Sequence, residues 1–395
     1  MADQMTQDVG QRARFHRLAG RKTQTVVAGL AGITTDYLYQ IERGKKLPTV
    51  PVLVSLARAL EVPASALLGE EEVHGQRSAR PPDMGADVHR AMTLPVAVEG
   101  SPMPIPDLRR QVDAAWHIWQ TSPNRYSEVR SLLGDLIRET ELALLHFSGQ
   151  DVNEIAADLY GLARTVTKRM GRVDLAVLAA DRSHRAAVSC GDVLRVGVAQ
   201  WNRAHVALAS HHHEVAEEIA MTAAEELRDC SGPEAAAVYG SLVLVGGVAA
   251  ARRRDPWTAR ERIRSVTPVA WKTGERNTLW TAFGPVNVAM HAVSVEVEAG
   301  ETSQACHLGE ELDYEQSPSI ERRVAFLLEQ ARSHQQRGDH GSALVLLHTA
   351  EREAPEDVAY RPVAHEVLRG LIQRASRTTA KEAARMVQRL DMPLA

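Results

Sequence analysis

From residue 107 to residue 391, apolar positions recur at the three- and four-residue spacings of amphipathic helices, and each run breaks near a Gly or Pro. The pattern predicts helices in pairs: 154–170 with 174–189, 193–209 with 213–229, 234–252 with 256–270, 277–299 with 301–313, 320–336 with 340–353, and 358–375 with 380–390. First helices start about 38–44 residues apart, the period of helical-hairpin solenoids. Glycine in the turns MGRVD, AGETS and RGDHG supplies the left-handed backbone that ends a helix. One hairpin cannot bury its own apolar face, so neighbours must stack. A compact irregular bundle is the alternative to a solenoid.

Upstream the pattern changes. Residues 1–8 read as a polar tail and residues 9–69 as short helices separated by tight turns. Residues 70–106 are rich in Pro and Gly, hold no helical period and read as a linker, leaving 107–395 as the repeat domain. Within the head the expected helices run over about 9–18 and 24–31, the second capped by Thr23. Gly32 permits a sharp turn, Ile33 plugs the core, and Thr34 caps a third helix whose Leu38 and Ile41 face inward. Gly44 ends that helix. Thr49 starts a fourth, burying Leu53, Leu56, Ala57 and Leu60, and Pro63 opens a short fifth that buries Leu67 and Leu68.

Two short helices joined by a tight glycine turn form the unit that lays its second helix in the DNA major groove. With Leu38 and Ile41 inward, Thr35, Asp36, Tyr39 and Gln40 lie on the outer face. The Gln40 amide suits bidentate pairing with adenine, Thr35 suits a base or a phosphate, and Asp36 accepts from cytosine or excludes wrong sequences. Gln24 opens a helix, where side chain and backbone N–H reach a phosphate. Thr34, Arg43, Lys45 and Lys46 complete the expected DNA-binding set, and Arg14 and Arg21 are weaker members.

The motifs TQ (23–24), AGIT (31–34), YLYQIERGKKLPT (37–49) and LARALEVPASALL (56–68) resemble the Xre-type, lambda-repressor-like helix-turn-helix family over about 60 residues. The resemblance implies a five-helix head that reads bases with its third helix, usually as a dimer. The sequence departs from the family at Gly29 and Leu30, where polar helix formers are usual. Across most of the chain, 174–208, 281–301 and 354–372 resemble the actinobacterial Xre-type regulators with tetratricopeptide-like C-terminal domains, although the strict Trp-Leu-Gly-Tyr pattern is absent. The expected fold is therefore all-α, a five-helix head plus an α-solenoid of hairpins.

In such a solenoid the first helices line a concave wall. Trp280, Phe283, Asn287 and His291 fall at spacings of 3, 4 and 4 on the expected helix 277–299, and Trp201, Asn202 and His205 cluster on 193–209. An asparagine amide pairs with extended peptide backbone and an indole covers apolar groups, so these residues are candidates for a peptide, small-molecule or protein effector. Packing between repeats is the competing use. Pro285 should kink or break the helix that carries four of them.

Charge sharpens the division of labour. The whole chain carries −4, yet residues 1–69 hold nine Lys/Arg against five Asp/Glu, which makes the head +4 and the rest −8. A basic head on an acidic body favours local contact with phosphate. Aromatic content of 4% favours helices over strands. Cys190, Cys230 and Cys306 lack metal-finger spacing and read as reduced thiols. The consecutive His211, His212 and His213 cannot all face one metal. The sequence shows no catalytic motif, signal pattern or unbroken membrane-length apolar run. The expectation is a cytoplasmic, nucleoid-associated, non-enzymatic regulator without cofactor or metal, acting as a homodimer on a palindromic double-stranded operator. A protein-interaction scaffold tethered to DNA by its head is the alternative.

Overall fold

The computed structural model describes residues 2–62, 64–68, 85–95 and 100–392. Pro63 and the linker residues 70–84 and 96–99 lie outside the described residues. The chain forms two compact units, one of residues 1–82, 334–348 and 358–395, the other of residues 83–333 and 349–357.

The head comprises α1 (Ala2–Ala19), α2 (Gln24–Ala31), α3 (Thr35–Glu42), α4 (Val50–Leu60) and α5 (Ala64–Leu68). Helix α1 starts at Ala2, so residues 2–8 continue the first helix and are not a separate tail. Thr23 Oγ1 accepts from Val26 N at 3.3 Å and Thr34 Oγ1 accepts from Tyr37 N at 3.1 Å, which caps α2 and α3 as their sequence demands. Gly32 takes φ 68 between them, a conformation that is cheap only without a Cβ. Val9, Val27, Leu38, Ile41, Leu53, Leu56 and Leu67 form the core. Burying side chains of this kind contributes about 1.5–3 kcal/mol each. Leu68, expected inside, is 37% exposed, because the last turn of α5 points it outward.

The second unit begins earlier than its pattern suggested. Helix α6 (Ala86–Thr93) lies within the stretch expected to be linker, and buries Val88, Ala91 and Met92. Then come α7 (Ile105–Thr121), α8 (Arg125–His146), α9 (Gln150–Arg169), α10 (Val173–Cys190), α11 (Val193–Ala209), α12 (His213–Glu226), α13 (Pro233–Arg252), α14 (Pro256–Thr273), α15 (Pro285–Ala299) and α16 (Thr302–Glu310). The first members α7, α9, α11, α13 and α15 each pack on the next, and each second member packs on its own first, the stacking of a helical-hairpin solenoid. Gly171 (φ 75) and Gly300 (φ 82) end first helices in the left-handed region. No strand occurs among the described residues; one isolated bridge joins Arg276 and Phe283.

Helix α13 is the one described helix long and apolar enough to cross a membrane, contrary to the expectation that no such stretch exists, and most of it is buried. It touches α11, α12, α14 and α15, so its apolarity follows from being surrounded by protein. Helices α17 (Ile320–Gln336), α18 (His340–Glu353) and α19 (Pro355–Tyr360) follow. The last two, α20 (Pro362–Arg374) and α21 (Arg377–Arg389), pack against α1 within the first unit. There Gln388 Nε2 donates to the Ala19 carbonyl at 3.1 Å and the Arg369 guanidinium carbon lies 5.7 Å from the centre of the Phe15 ring.

Candidate nucleic-acid interface and effector cleft

Helix α3 is held from beneath and left open above. Leu38 and Ile41 are buried, while Thr34, Thr35, Asp36, Tyr39, Arg43, Lys45 and Lys46 are exposed and Gln40 is half-buried. The foundation is an ion pair the sequence reading missed. Arg17 of α1 grips Glu42 through Nε–Oε1 at 2.6 Å and Nη2–Oε2 at 2.8 Å, both side chains being buried. Its Nη1 also donates to the Lys22 carbonyl at 3.2 Å. Charge alone would have placed Arg17 among phosphate ligands; its i, i+4 neighbours Ala13 and Arg21 gave no sign of a partner 25 residues away.

The expected contacts differ in readiness. Gln40 Nε2 donates to Asp36 Oδ2 at 2.6 Å one turn back, so the pair must separate before the amide can address an adenine. Gln24 Nε2 donates to Glu42 Oε2 at 2.8 Å, which engages the side chain first offered to phosphate and leaves the α2 N-terminal N–H groups for that task. The guanidinium carbon of Arg43 sits 5.5 Å from the Tyr39 ring centre, and Lys46 Nζ sits 5.6 Å from that of Tyr37. Arg14, Thr23, Gln24, Tyr39 and Arg43 line one groove beside the start of α2, where anions gain from both cations and helix dipole. Arg21 is exposed, with φ 55.

In the second unit the structure brings together only part of the proposed effector set. Trp201, His205 and Trp280 line one narrow cleft, joined by Trp116, Arg164, Lys168, Arg169, Glu321 and Arg322. Asn202 lines the adjoining hollow, but its Oδ1 accepts from Arg164 Nη2, so the amide is engaged internally. The expected helix 277–299 is broken as Pro285 suggested: α15 starts there, and the four residues share no single helical stripe. Phe283 is fully buried against Gly240, where an added Cβ would overlap the ring. Asn287 and His291 are buried in α15, with His291 Nδ1 2.8 Å from the Asn287 carbonyl. Burial, reinforced by Arg322, holds the His291 pKa down to about 3. These three are packing residues in this conformation.

The segment between α14 and α15 forms a strap. Leu279 (φ 46), Trp280 (φ 66) and Ala282 (φ 53) are left-handed without being glycine, at a cost on the order of 1–3 kcal/mol each. Arg276 N donates to the Phe283 carbonyl at 2.8 Å, and Gln120 Nε2 of α7 donates to the Trp280 carbonyl at 3.2 Å. The strap lays the Trp280 indole parallel to that of Trp116, with centroids 5.4 Å apart. Among the described residues no group of three His, Cys, Asp or Glu is placed to hold a metal.

Comparison with known proteins agrees with the head's geometry. A helix-turn-helix domain model matches residues 8–68. The chain is 35% identical over 71 residues to the immunity repressor protein of Bacillus phage phi105, covering 18% of this chain and 49% of that protein, so it spans about half the repressor's length. It is 34% identical over 83 residues to the transcriptional regulator ClgR of Mycobacterium tuberculosis, covering 20% of this chain and 74% of that one. The chain therefore belongs to the Xre-type family of helix-turn-helix DNA-binding regulators. Among solved structures, the apo form of the competence regulator ComR from Streptococcus vestibularis aligns with 98% of this chain and 99% of its own, at 11% identity and a TM-score of 0.26.

Proposed function

We propose that the protein is a transcriptional regulator that binds a palindromic operator as a homodimer through α3, and that its helical repeat domain senses an effector. The observation that carries the DNA half is the outward face of α3, with Thr35, Asp36 and Tyr39 exposed, Gln40 half-buried beside them, and Arg43, Lys45 and Lys46 just beyond. Base edges are read by that face and phosphates by the cations. An eight-residue helix reaches too few bases for operator-level discrimination, and two-fold symmetry doubles the readout, with half-sites about one helical turn apart. Asp36 holds the Gln40 amide until a base replaces it, so the gain from reading adenine is a difference between two hydrogen bonds.

Selection of preferred sites from random duplex DNA by the full chain tests this reading. A palindromic consensus is expected. Gln40→Ala should relax one position in each half-site and cost about 1–3 kcal/mol, whereas Lys45→Ala should weaken every sequence alike. Enrichment of no sequence, with binding that depends only on salt, would replace this reading with the tethered scaffold.

A further inference from the structure

The cleft of the second unit brings together two cationic side chains, Arg164 and Lys168, that no carboxylate pairs. Arg169 and Arg322 line it as well, together with the carboxylate of Glu321. That carboxylate is occupied: Arg169 Nε donates to Oε1 at 2.7 Å and Trp119 Nε1 to Oε2 at 3.0 Å. Arg164 is 1% exposed, and its Nε has no hydrogen-bond partner. Its Nη2 reaches the Asn202 carbonyl oxygen, and its guanidinium carbon lies 5.1 Å from the Trp201 ring centre, a partial compensation by a neutral amide and a ring face. Lys168 follows Arg164 at i, i+4 on α9, where like charges repel. Burial first, then neighbouring guanidinium groups, lowers the Arg164 pKa to about 9 and depresses that of Lys168 well below its ordinary value. Buried cations call for anionic or hydrogen-bonding partners.

We propose that this cleft binds a small organic oxyanion, a carboxylate or phosphate carried on a flat ring, with the acid group between Arg164 and Lys168 and the ring beside Trp280. The strap over residues 276–283 is the element that must yield, since the cleft is narrow and three non-glycine residues in the strap are already held left-handed. Binding restores charge balance and replaces the internal stack of Trp280 on Trp116 with one on the ligand. The proposal deepens the reading of the repeat domain as the sensing half and names the chemistry that it senses.

Calorimetric titration of the full chain without DNA is the test, using benzoate, phenyl phosphate and the neutral benzamide. At least one acid is expected to bind at least about tenfold more tightly than benzamide. Benzoate and phenyl phosphate then decide between carboxylate and phosphate. Lys168→Gln should remove that preference while raising the melting temperature of the ligand-free chain, because it removes an amine whose charged form has no partner in the cleft. Lys168→Arg should keep the preference. Equal binding of acids and benzamide, no binding of either acid, an unaltered preference in Lys168→Gln, or a Lys168→Gln chain that unfolds would each overturn the proposal. None of these outcomes bears on the DNA half, which is measured without ligand by operator selection.

Discussion

Gly10 sits where α1 crosses the end of α3, and a Cβ there would collide with the Ile41 carbonyl and come within 3.2 Å of Gly44 N. Both obstacles are backbone, so neither can rotate away. Gly10→Ala should therefore push α3 off its seat, destabilising the head by about 1–3 kcal/mol in urea unfolding, with a matching loss of operator affinity. Unchanged stability would mean that α1 and α3 are not packed this closely. A second residue-scale dependence lies in the other unit. Arg125 and Asp357 form an ion pair with neither side chain exposed, and the guanidinium carbon lies 4.8 Å from the Trp119 ring centre. Glu356, next in sequence, accepts from Tyr126 N at 2.8 Å and so covers the first turn of α8. Asp357→Ala would leave a buried guanidinium without its countercharge, and thermal or denaturant unfolding should show a loss of about 3–5 kcal/mol.

At the scale of elements, the joining of α1 with α20 and α21 makes part of the fold sensitive to acid. The His16 imidazole is buried beside Arg369, and burial first, then that guanidinium, holds its pKa down to about 4. In the unfolded chain the same group titrates near 6.5. Between these values the unfolded chain takes a proton that the folded chain refuses, so stability is complete above pH 6.5 and falls as the pH drops toward 4. The whole window amounts to about 3 kcal/mol. Hydrogen exchange in α1 and α20, corrected for its intrinsic pH dependence, should rise from pH 7 to pH 5 relative to the other elements, and His16→Gln should flatten that rise. The helices α2 and α3 were legible in the sequence because their caps, turn glycine and apolar positions all lie in one short stretch, from Thr23 to Ile41. The cleft of the second unit was not, because its lining is assembled from α7, α9, α11, the strap and α17, which lie far apart in the chain. Its nearest sequence signal was the like-charged Arg164 and Lys168 at i, i+4, unusual on a face meant for packing. The break before Pro285 was readable, but its consequence, the separation of Phe283 from Asn287, was not.

For the molecule as a whole, the division of charge bears on how many heads engage DNA. Residues 1–69 carry +4 inside a chain of net −4, so the head is drawn to phosphate although the chain as a whole is acidic. Within it Arg17 and Lys22 are spent on Glu42 and Glu61, the latter through Nζ–Oε1 at 2.7 Å. Arg14, Arg43, Lys45 and Lys46 are exposed on or beside the α3 side. Four phosphate contacts per head give a slope of log affinity against log salt of about −3.6, and two heads on one operator give about −7. The proposed dimer is therefore expected near −7 when operator binding is measured across salt concentrations, and Lys45→Ala should make the slope shallower by about 2, one contact from each head. A slope near −3.6 on a full-length operator would mean that one head binds alone. A Lys45→Ala slope equal to that of the unaltered chain would move the phosphate track away from the end of α3, even if Gln40 still reads a base.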